Sequence, residues 1–287
     1  MNELTPYQLL FDVDDRPGPG LPAAIQALYG GDWRLPAPPT QRPYCFTNFV
    51  VSHDGRIGFD EPGYSGGPDI SRGAPHDLWL MALIRSRADA ILTGTGTLRS
   101  AGNHRWLPWE TFPAARAALT ALRTAEGRAP LPALVILTAS GQLPPDAAAL
   151  HVPNRPLIIA TTAQGATQAQ RLLADHPAIH YHISPGPQVD LLALATALRQ
   201  QYGITTLLSE GGARVYGTLL AAALLDEVFT THSPVVVGNR QPPAPPRPSL
   251  VEGVAFDPGA PPRLRLLSLR RVGDYLFQRA MLLPASA

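Results

Sequence analysis

Residues 204–238 read ITTLLSEGGARVYGTLLAAALLDEVFTTHSPVVVG. This pattern predicts an apolar strand over 204–209, a glycine turn, a helix from about 213 to 224, and a second strand rich in Val, Phe and Thr. At the predicted strand-to-helix junction, Gly211 and Gly212 allow a sharp turn and leave no Cβ between the backbone and a ligand. The first free N–H groups of the helix point into the same space, so the junction favours an anion.

Two interpretations of this junction are open. A pair of glycines can simply close a tight turn between a strand and a helix. Glu210 favours a ligand site, because it lies at the carboxyl end of a buried strand, where open α/β sheets bind their ligands.

Composition limits the classes of protein that fit. At 287 residues with 45% hydrophobic content, the chain is expected to form one large α/β domain rather than two small ones. A formal charge of +1 gives no electrostatic case for nucleic acid. The single cysteine, Cys45, excludes an internal disulfide framework and a cysteine-rich metal site. With no apolar run of about 18 residues and no leader pattern, we expect a cytoplasmic protein without membrane contact.

Two further chemistries are disfavoured. All 23 basic residues are arginine, which excludes Schiff-base catalysis and a Walker-type phosphate loop, since both require lysine. His180 and His182 alternate on one predicted strand, but no cysteine or carboxylate follows at ligand spacing. No metal site is therefore expected.

The chain is predicted to divide into a proline-rich N-terminal arm, residues 1–41, and a main domain, residues 42–287. The arm contains one helical candidate at 22–29 and is expected to lie on the body of the domain or on a partner subunit. The first strand, 44–51, leads into a turn that includes Ser52 and Asp54. Asp54 can be a turn former or a carboxylate that faces a ligand.

A second glycine-bearing turn, GTGT at residues 94–97, follows a strand predicted at 88–93 and starts another helix. Alone it is a weak signal, but together with the junction at 211–212 it suits a dinucleotide, which needs two such contacts. Strands alternate with helices through the middle of the chain, which indicates a parallel sheet. The last two strands, 263–271 and 275–283, form a hairpin, so the predicted fold is a three-layer αβα arrangement with a mixed, mostly parallel sheet.

These motifs carry a resemblance to a known family. The turn SHDGRI (52–57), the segment ADAILTGTGT (88–97), the block SEGGARVYGTLLAAALLDEVF (209–229) and the closing VGDYLFQRA (272–280) resemble the pyrimidine reductase domain of riboflavin biosynthesis. The likeness is greater still to stand-alone members that lack a deaminase domain. It covers roughly residues 42–283 and implies a dihydrofolate-reductase-like fold.

The resemblance also implies roles for individual residues. Glu210 would touch a pyrimidine substrate, Arg85 would contact its ribose phosphate, and Ser52 and Asp54 would lie on the substrate side. The residues that would bind NADPH are Gly94, Thr97, Thr138, Gly211, Gly212, Ala213, Arg214, Val215, Tyr216 and Gly217. Arg99 is the one side chain that we can offer as a partner for the 2′-phosphate.

The sequence departs from the family pattern at two places. Asn48 replaces a lysine that helps to hold the substrate, and residues 99–105 replace an acidic segment and the arginine beyond it. The cofactor half of the site is therefore better supported than the substrate half.

Two functions follow as hypotheses. The first is an NADPH-dependent reductase, acting as a homodimer, in which hydride moves to a heterocycle or ring-opened sugar imine while Glu210 and Asn48 hold the acceptor's polar edge and water provides the proton. Its substrate could also be a different small heterocycle. The second is a nucleotide-binding protein of the same fold that has lost the reaction.

Overall fold

The fold is organised around one ten-stranded sheet. The computed structural model describes residues 4–64, 66–174, 176 and 179–284. The strands are β1 (Gln8–Asp12), β2 (Tyr44–Val51), β3 (Ala90–Gly94), β4 (Ala133–Leu137), β5 (Leu157–Thr162), β6 (His180–Ser184), β7 (Thr206–Ser209), β8 (Glu227–His232), β9 (Leu264–Val272) and β10 (Tyr275–Leu282).

The strand order is β1-β9-β10-β8-β2-β7-β3-β4-β5-β6. From β8 to β6 neighbouring strands run parallel, whereas β1, β9 and β10 pair antiparallel and join the sheet beside β8. This arrangement confirms the predicted mixed sheet with a C-terminal antiparallel hairpin.

Helices cover both faces of the sheet. They are α1 (Ala23–Tyr29), α2 (Gly67–Ser71), α3 (Pro75–Ser86), α4 (Thr95–Ser100), α5 (Arg116–Ala125), α6 (Ala163–Leu172), α7 (Leu191–Gln200) and α8 (Ala213–Ala221). One apolar core contains buried side chains of α1, α3 and α5, and the other contains those of α7 and α8. Alternate residues of each strand supply the two cores, since successive side chains point to opposite faces. The layers are therefore αβα, as predicted.

The helix after the glycine junction is shorter than predicted. It ends at Ala221 rather than near 224, because Ala223 adopts a left-handed φ of 52° that a helix cannot continue through. Leu224 and Leu225 remain buried beyond it, which explains why the apolar pattern extends past the helix.

The N-terminal residues pack on the same chain. β1 pairs with β9, and Tyr7 and Trp33 belong to the larger apolar core. Arg87 donates to the carbonyl oxygens of Trp33 and Pro19, which fixes the proline-rich stretch. The N-terminal segment thus lies on the body of its own domain, which is one of the two positions expected for it. The boundary at 41/42 stays a prediction.

Buried charges close the amino end of the parallel strands. The amino-end cluster consists of Asp14, Arg16, Tyr44, Glu227 and Arg279. Arg16 lies 2.6 Å from Asp14 and 2.9 Å from Glu227, and the Tyr44 hydroxyl donates to Glu227 at 2.5 Å. Arg279 pairs with Asp14 and with Glu227. Two guanidinium groups thus balance two carboxylates, and these pairs attach the N-terminal residues to β2, β8 and β10.

Candidate active site

Three small turns lie side by side at the carboxyl end of the sheet. They follow the adjacent strands β7, β3 and β4 at residues 210–212, 94–97 and 138–141. The first turn starts α8 and the second starts α4. Because carboxyl ends of parallel strands meet at one edge, residues distant in sequence line one cleft.

The first two turns are in contact. A Cβ placed on Gly212 would lie 3.5 Å from the Thr97 hydroxyl oxygen, and one on Gly94 would lie 3.0 Å from Val215. A Cβ on Gly211 would lie 2.5 Å from the Val215 side chain, so Gly211 is required by packing. Gly212 has a φ of −71° and no such clash. Its bare backbone, at the start of α8, is the feature that leaves room for a ligand.

The third turn closes the cleft beyond α4. The Thr138 hydroxyl accepts a hydrogen bond from the Gly141 N–H at 3.1 Å, and the Thr138 side chain is buried. Arg99 on α4 donates to the Gln142 carbonyl at 3.5 Å. Thr138 therefore shapes the turn, and Arg99 lies at the rim between two of the three turns.

The residues of α8 that were predicted to bind the cofactor differ in their exposure to solvent. Arg214 and Val215 are accessible, whereas Ala213, Tyr216 and Gly217 are buried. Tyr216 packs on Phe49 with ring centroids 5.0 Å apart, and burial raises its pKa to about 12. A Cβ on Gly217 would lie 2.5 Å from the Glu252 carbonyl oxygen, so this glycine permits close packing of backbone. Tyr216 and Gly217 thus have packing roles that their place in the motif does not reveal.

Arg85 and Glu210 form a buried, bidentate ion pair. Arg85 Nε and Nη2 each lie 2.6 Å from a Glu210 carboxylate oxygen, and the side chains are 2% and 10% exposed. Arg85 Nη1 is buried and has no hydrogen-bond partner in the described part of the chain. Although Arg85 lies near the end of α3, it is therefore not a surface residue. The sequence analysis expected Arg85 to contact a phosphate group, and it did not predict that the guanidinium group binds Glu210.

Asn48 lies on β2, the strand next to the one that Glu210 follows. Thr47 is in register with Ser209, so Asn48 lies level with Glu210 on the neighbouring strand. The Asn48 side chain is half-buried, and its Oδ1 atom has no hydrogen-bond partner among residues 4–64, 66–174, 176 and 179–284. An amide that can donate and accept thus lies level with Glu210, at the carboxyl end of the neighbouring strand.

Ser52 and Asp54 are engaged in the turn after β2. The Ser52 hydroxyl donates to Asp54 at 2.7 Å, and the N–H groups of Val237 and Gly238 donate to the same carboxylate at 2.9 and 2.8 Å. Desolvation raises the pKa of Asp54, but these three hydrogen bonds outweigh it and lower the pKa to about 2. Of the two interpretations of Asp54, these contacts correspond to the turn former.

Sequence reasoning missed His104. Its Nδ1 atom lies 3.2 Å from Glu110, and its ring meets Trp106 edge-on with centroids 4.8 Å apart. Burial, followed by the positive charges of Arg85, Arg155 and Arg105, lowers the His104 pKa to about 3. In the sequence, His104 lies in the segment 99–105, which departs from the family pattern. The spacing of the histidines gave no indication of it.

The topology and the cleft define an oxidoreductase of the dihydrofolate-reductase-like fold. The RibD C-terminal domain family matches residues 43–277, and the chain belongs to that family. The resemblance drawn from the sequence is thereby confirmed. Among the described residues, no helix has the length and apolar character needed to cross a membrane.

Relatives of known name extend the comparison. The chain is 24% identical over 81% of its length to the 2,5-diamino-6-ribosylamino-4(3H)-pyrimidinone 5′-phosphate reductase of Archaeoglobus fulgidus, of which it covers 95%. Acinetobacter baumannii RibD superposes with a TM-score of 0.60 at 22% identity, over 85% of this chain and 59% of that one. A pyrimidine reductase-like protein from Corynebacterium diphtheriae gives 0.61 at 20% identity, over 84% and 92%. The chain thus spans about three fifths of RibD and nearly all of the other two proteins.

Proposed function

We propose that this protein is an NADPH-dependent reductase of a phosphorylated ribosylamino-pyrimidinone, the substrate class named for its Archaeoglobus relative. The observation that carries the proposal is the contact between two glycine-bearing turns, in which the bare backbone of Gly212 approaches Thr97. A dinucleotide requires two anchoring turns side by side, and the third turn at 138–141 extends the same cleft.

The residues of the cleft fit this cofactor. The N–H groups at the start of α8 would hold the pyrophosphate, Thr97 would donate to an adjacent oxygen, and Arg99 at the rim would face the 2′-phosphate. NADPH supplies a hydride when bound. The protein contributes binding, orientation and exclusion of water.

The acceptor would bind against Glu210 and Asn48. The ion pair with Arg85 fixes the Glu210 carboxylate in one orientation, so it can accept hydrogen bonds from N–H groups on the edge of a pyrimidine. The neighbouring Asn48 amide would hold a second polar group of the same edge. Water would provide the proton.

A direct spectrophotometric assay of NADPH oxidation tests the proposal. NADPH oxidation followed at 340 nm with 2,5-diamino-6-ribosylamino-4(3H)-pyrimidinone 5′-phosphate should be enzyme-dependent and should stop with Glu210→Gln, which keeps the shape of the side chain and removes its charge. NADPH binding by calorimetry should survive that substitution. Cofactor binding without turnover of this or a related heterocycle would favour the second hypothesis, a nucleotide-binding protein without reductase activity.

The quaternary state and location are also proposals. Leu9 and Leu10 of β1 and Leu264 and Leu266 of β9 are exposed on the two outermost strands at one edge of the sheet, which supports a homodimer. Light scattering should give twice the 30.7 kDa of one chain.

We further propose that the protein works in the cytoplasm; fractionation of cells would check it.

A further inference from the structure

A cavity lies at the amino end of β5 and β6, at the opposite end of the parallel strands from the candidate active site. Its volume is about 850 Å³, and its lining consists of residues 145–146 and 150–156, the end of α6, and the histidines at 176 and 180. Because β5 and β6 are parallel and begin at Leu157 and His180, both strands start beside it. The volume lies within the range of about 300–1,000 Å³ that is usual for small-molecule sites.

The wall of this cavity is mostly apolar. Proline, valine and leucine side chains make up the larger part of the lining, and Leu150 and Leu173 among them are buried. Three prolines, Pro145, Pro153 and Pro156, contribute rigid rings. Apolar rings and branched side chains suit the face of a planar molecule, which loses contact with water when it packs against them.

Two histidines of the lining are held in one orientation. His151 Nε2 lies 2.7 Å from the Pro145 carbonyl oxygen. His176 Nε2 lies 2.7 Å from the Leu150 carbonyl oxygen, and the two ring centroids are 6.2 Å apart. Since a carbonyl oxygen only accepts, Nε2 carries the proton in each ring. In a neutral ring, Nδ1 is then an acceptor.

The Nδ1 atom of His176 is buried and has no hydrogen-bond partner within the described residues. A buried polar atom without a partner is costly for the folded protein. His176 belongs to the lining of the cavity. A hydrogen-bond donor on a molecule that enters the cavity can therefore satisfy this atom.

The charges around the cavity disfavour an anion. Asp146 lines it with an exposed carboxylate, and the carbonyl end of α6 adds partial negative charge. Arg155 also belongs to the lining, but its two Nη atoms donate to the carbonyl oxygens of Arg105 and Ala149. The wall thus favours a neutral ligand that carries hydrogen-bond donors.

We propose that this cavity binds an uncharged, planar amino-heterocycle, which packs on the apolar wall and donates a hydrogen bond from its amino group to His176 Nδ1. The site is separate from the candidate active site, because the two lie at opposite ends of the parallel strands. The proposal therefore does not depend on the reductase function.

The probe 2-aminopurine tests it, since this amino-heterocycle loses fluorescence when it stacks. Titration of the protein into the probe at pH 8 should give saturable quenching. His176→Gln keeps a donor near the Leu150 carbonyl oxygen and removes the Nδ1 acceptor, whereas His176→Asn places an amide oxygen near Nδ1 and loses the contact with Leu150. Leu172→Trp fills the cavity from a half-buried position. Gly212→Val, which alters the cofactor cleft, is the control.

We expect the Kd of the probe to rise about tenfold with His176→Gln, because one hydrogen bond is lost. With His176→Asn, which keeps an acceptor, it should rise less than about threefold. Leu172→Trp should abolish the quenching. Gly212→Val should leave the Kd unchanged, and circular dichroism should show that each variant is folded.

Absence of quenching by the unsubstituted protein at up to about 0.5 mM would overturn the proposal. A larger loss with His176→Asn than with His176→Gln would also overturn it, since that result assigns His176 to its bond with Leu150. Binding that Gly212→Val abolishes and Leu172→Trp does not would place the probe in the cofactor cleft instead. If His176→Gln fails to fold, Leu172→Trp decides alone, and quenching that persists in it contradicts the assignment of the cavity.

Discussion

The two ends of the parallel strands use charged residues in opposite ways. At the amino end, the guanidinium groups of Arg16 and Arg279 face the carboxylates of Asp14 and Glu227, and the N-terminal residues cover them. At the carboxyl end, bare glycine turns border a cleft, and within the described residues only Arg85 and Glu210 form a buried ion pair there. The difference implies that substitutions at the amino end change stability, whereas those at the carboxyl end change binding and turnover.

The largest expected effect is at the amino end. Arg279→Ala should lower the free energy of unfolding by about 3–5 kcal/mol, because the two buried carboxylates of Asp14 and Glu227 then face one guanidinium group, that of Arg16, instead of two. Urea titration followed by circular dichroism measures it. Arg271→Ala, at an exposed position of β9, is the control and should cost less than about 0.5 kcal/mol. A loss of kcat per folded molecule with Arg279→Ala would break the separation of the two ends.

Asp77 supplies a buried carboxyl group outside the amino-end cluster. Burial raises its pKa from 3.8 to about 6, an effect that the Thr231 and Ser71 hydroxyls only partly offset. Because the folded state binds this proton more tightly than the unfolded state, its contribution to stability is present below about pH 4 and is lost as pH rises through 6. Asp77→Asn should remove this dependence and stabilise the protein by up to about 3 kcal/mol at pH 8. Denaturant titrations of both proteins at pH 5 and pH 8 measure this. An equal change in the free energy of unfolding at the two pH values would contradict the prediction.

Arg85→Ala tests the pair at the carboxyl end. It should lower the free energy of unfolding by about 2 kcal/mol, less than Arg279→Ala, because the Glu210 left behind is partly accessible to water. It should also reduce kcat/KM equally for phosphorylated and dephosphorylated substrate, since its guanidinium group binds Glu210. A loss confined to the phosphorylated substrate would instead assign Arg85 to the phosphate.

Gly212→Val tests the cofactor cleft. We expect a loss of NADPH affinity of at least about 1.5 kcal/mol by calorimetry, because the added side chain occupies the space in front of the start of α8. Stability should change little. Gly211→Ala should do the reverse and lower stability, because its Cβ would meet the Val215 side chain at 2.5 Å. Unchanged NADPH affinity for Gly212→Val would remove the junction from the cofactor site.

The smallest effect concerns Arg99. Since it is exposed and its one contact is a 3.5 Å bond to the Gln142 carbonyl, Arg99→Ala should weaken NADPH by less than about 1 kcal/mol and leave NADH unchanged. The ratio of kcat/KM for the two cofactors measures it. An unaltered ratio would show that Arg99 does not bind the 2′-phosphate.

Local pattern predicted most of the sheet and both glycine junctions. Tyr44–Val51 has the predicted bounds, since an apolar run between turn residues reports a buried strand directly. β1 was missed because it is a short edge strand that lies within a proline-rich stretch and is mostly exposed. The Arg85–Glu210 pair joins residues 125 positions apart. No local periodicity reports such pairings, because they depend on how distant elements pack.

The pairing of β1 with β9 has a consequence for the order in which the protein can fold. Asp12 meets Arg270 across 258 residues, and Asp14 meets Arg279 across 265. A ribosome releases the N-terminal partner of each pair first, so β1, Asp12 and Asp14 wait for these C-terminal partners until almost the whole domain has been synthesised. Pairing at such sequence separation is entropically slow. The last hairpin to emerge therefore completes the sheet, and an arrest of translation before β9 would leave a nascent chain with its first strand unpaired.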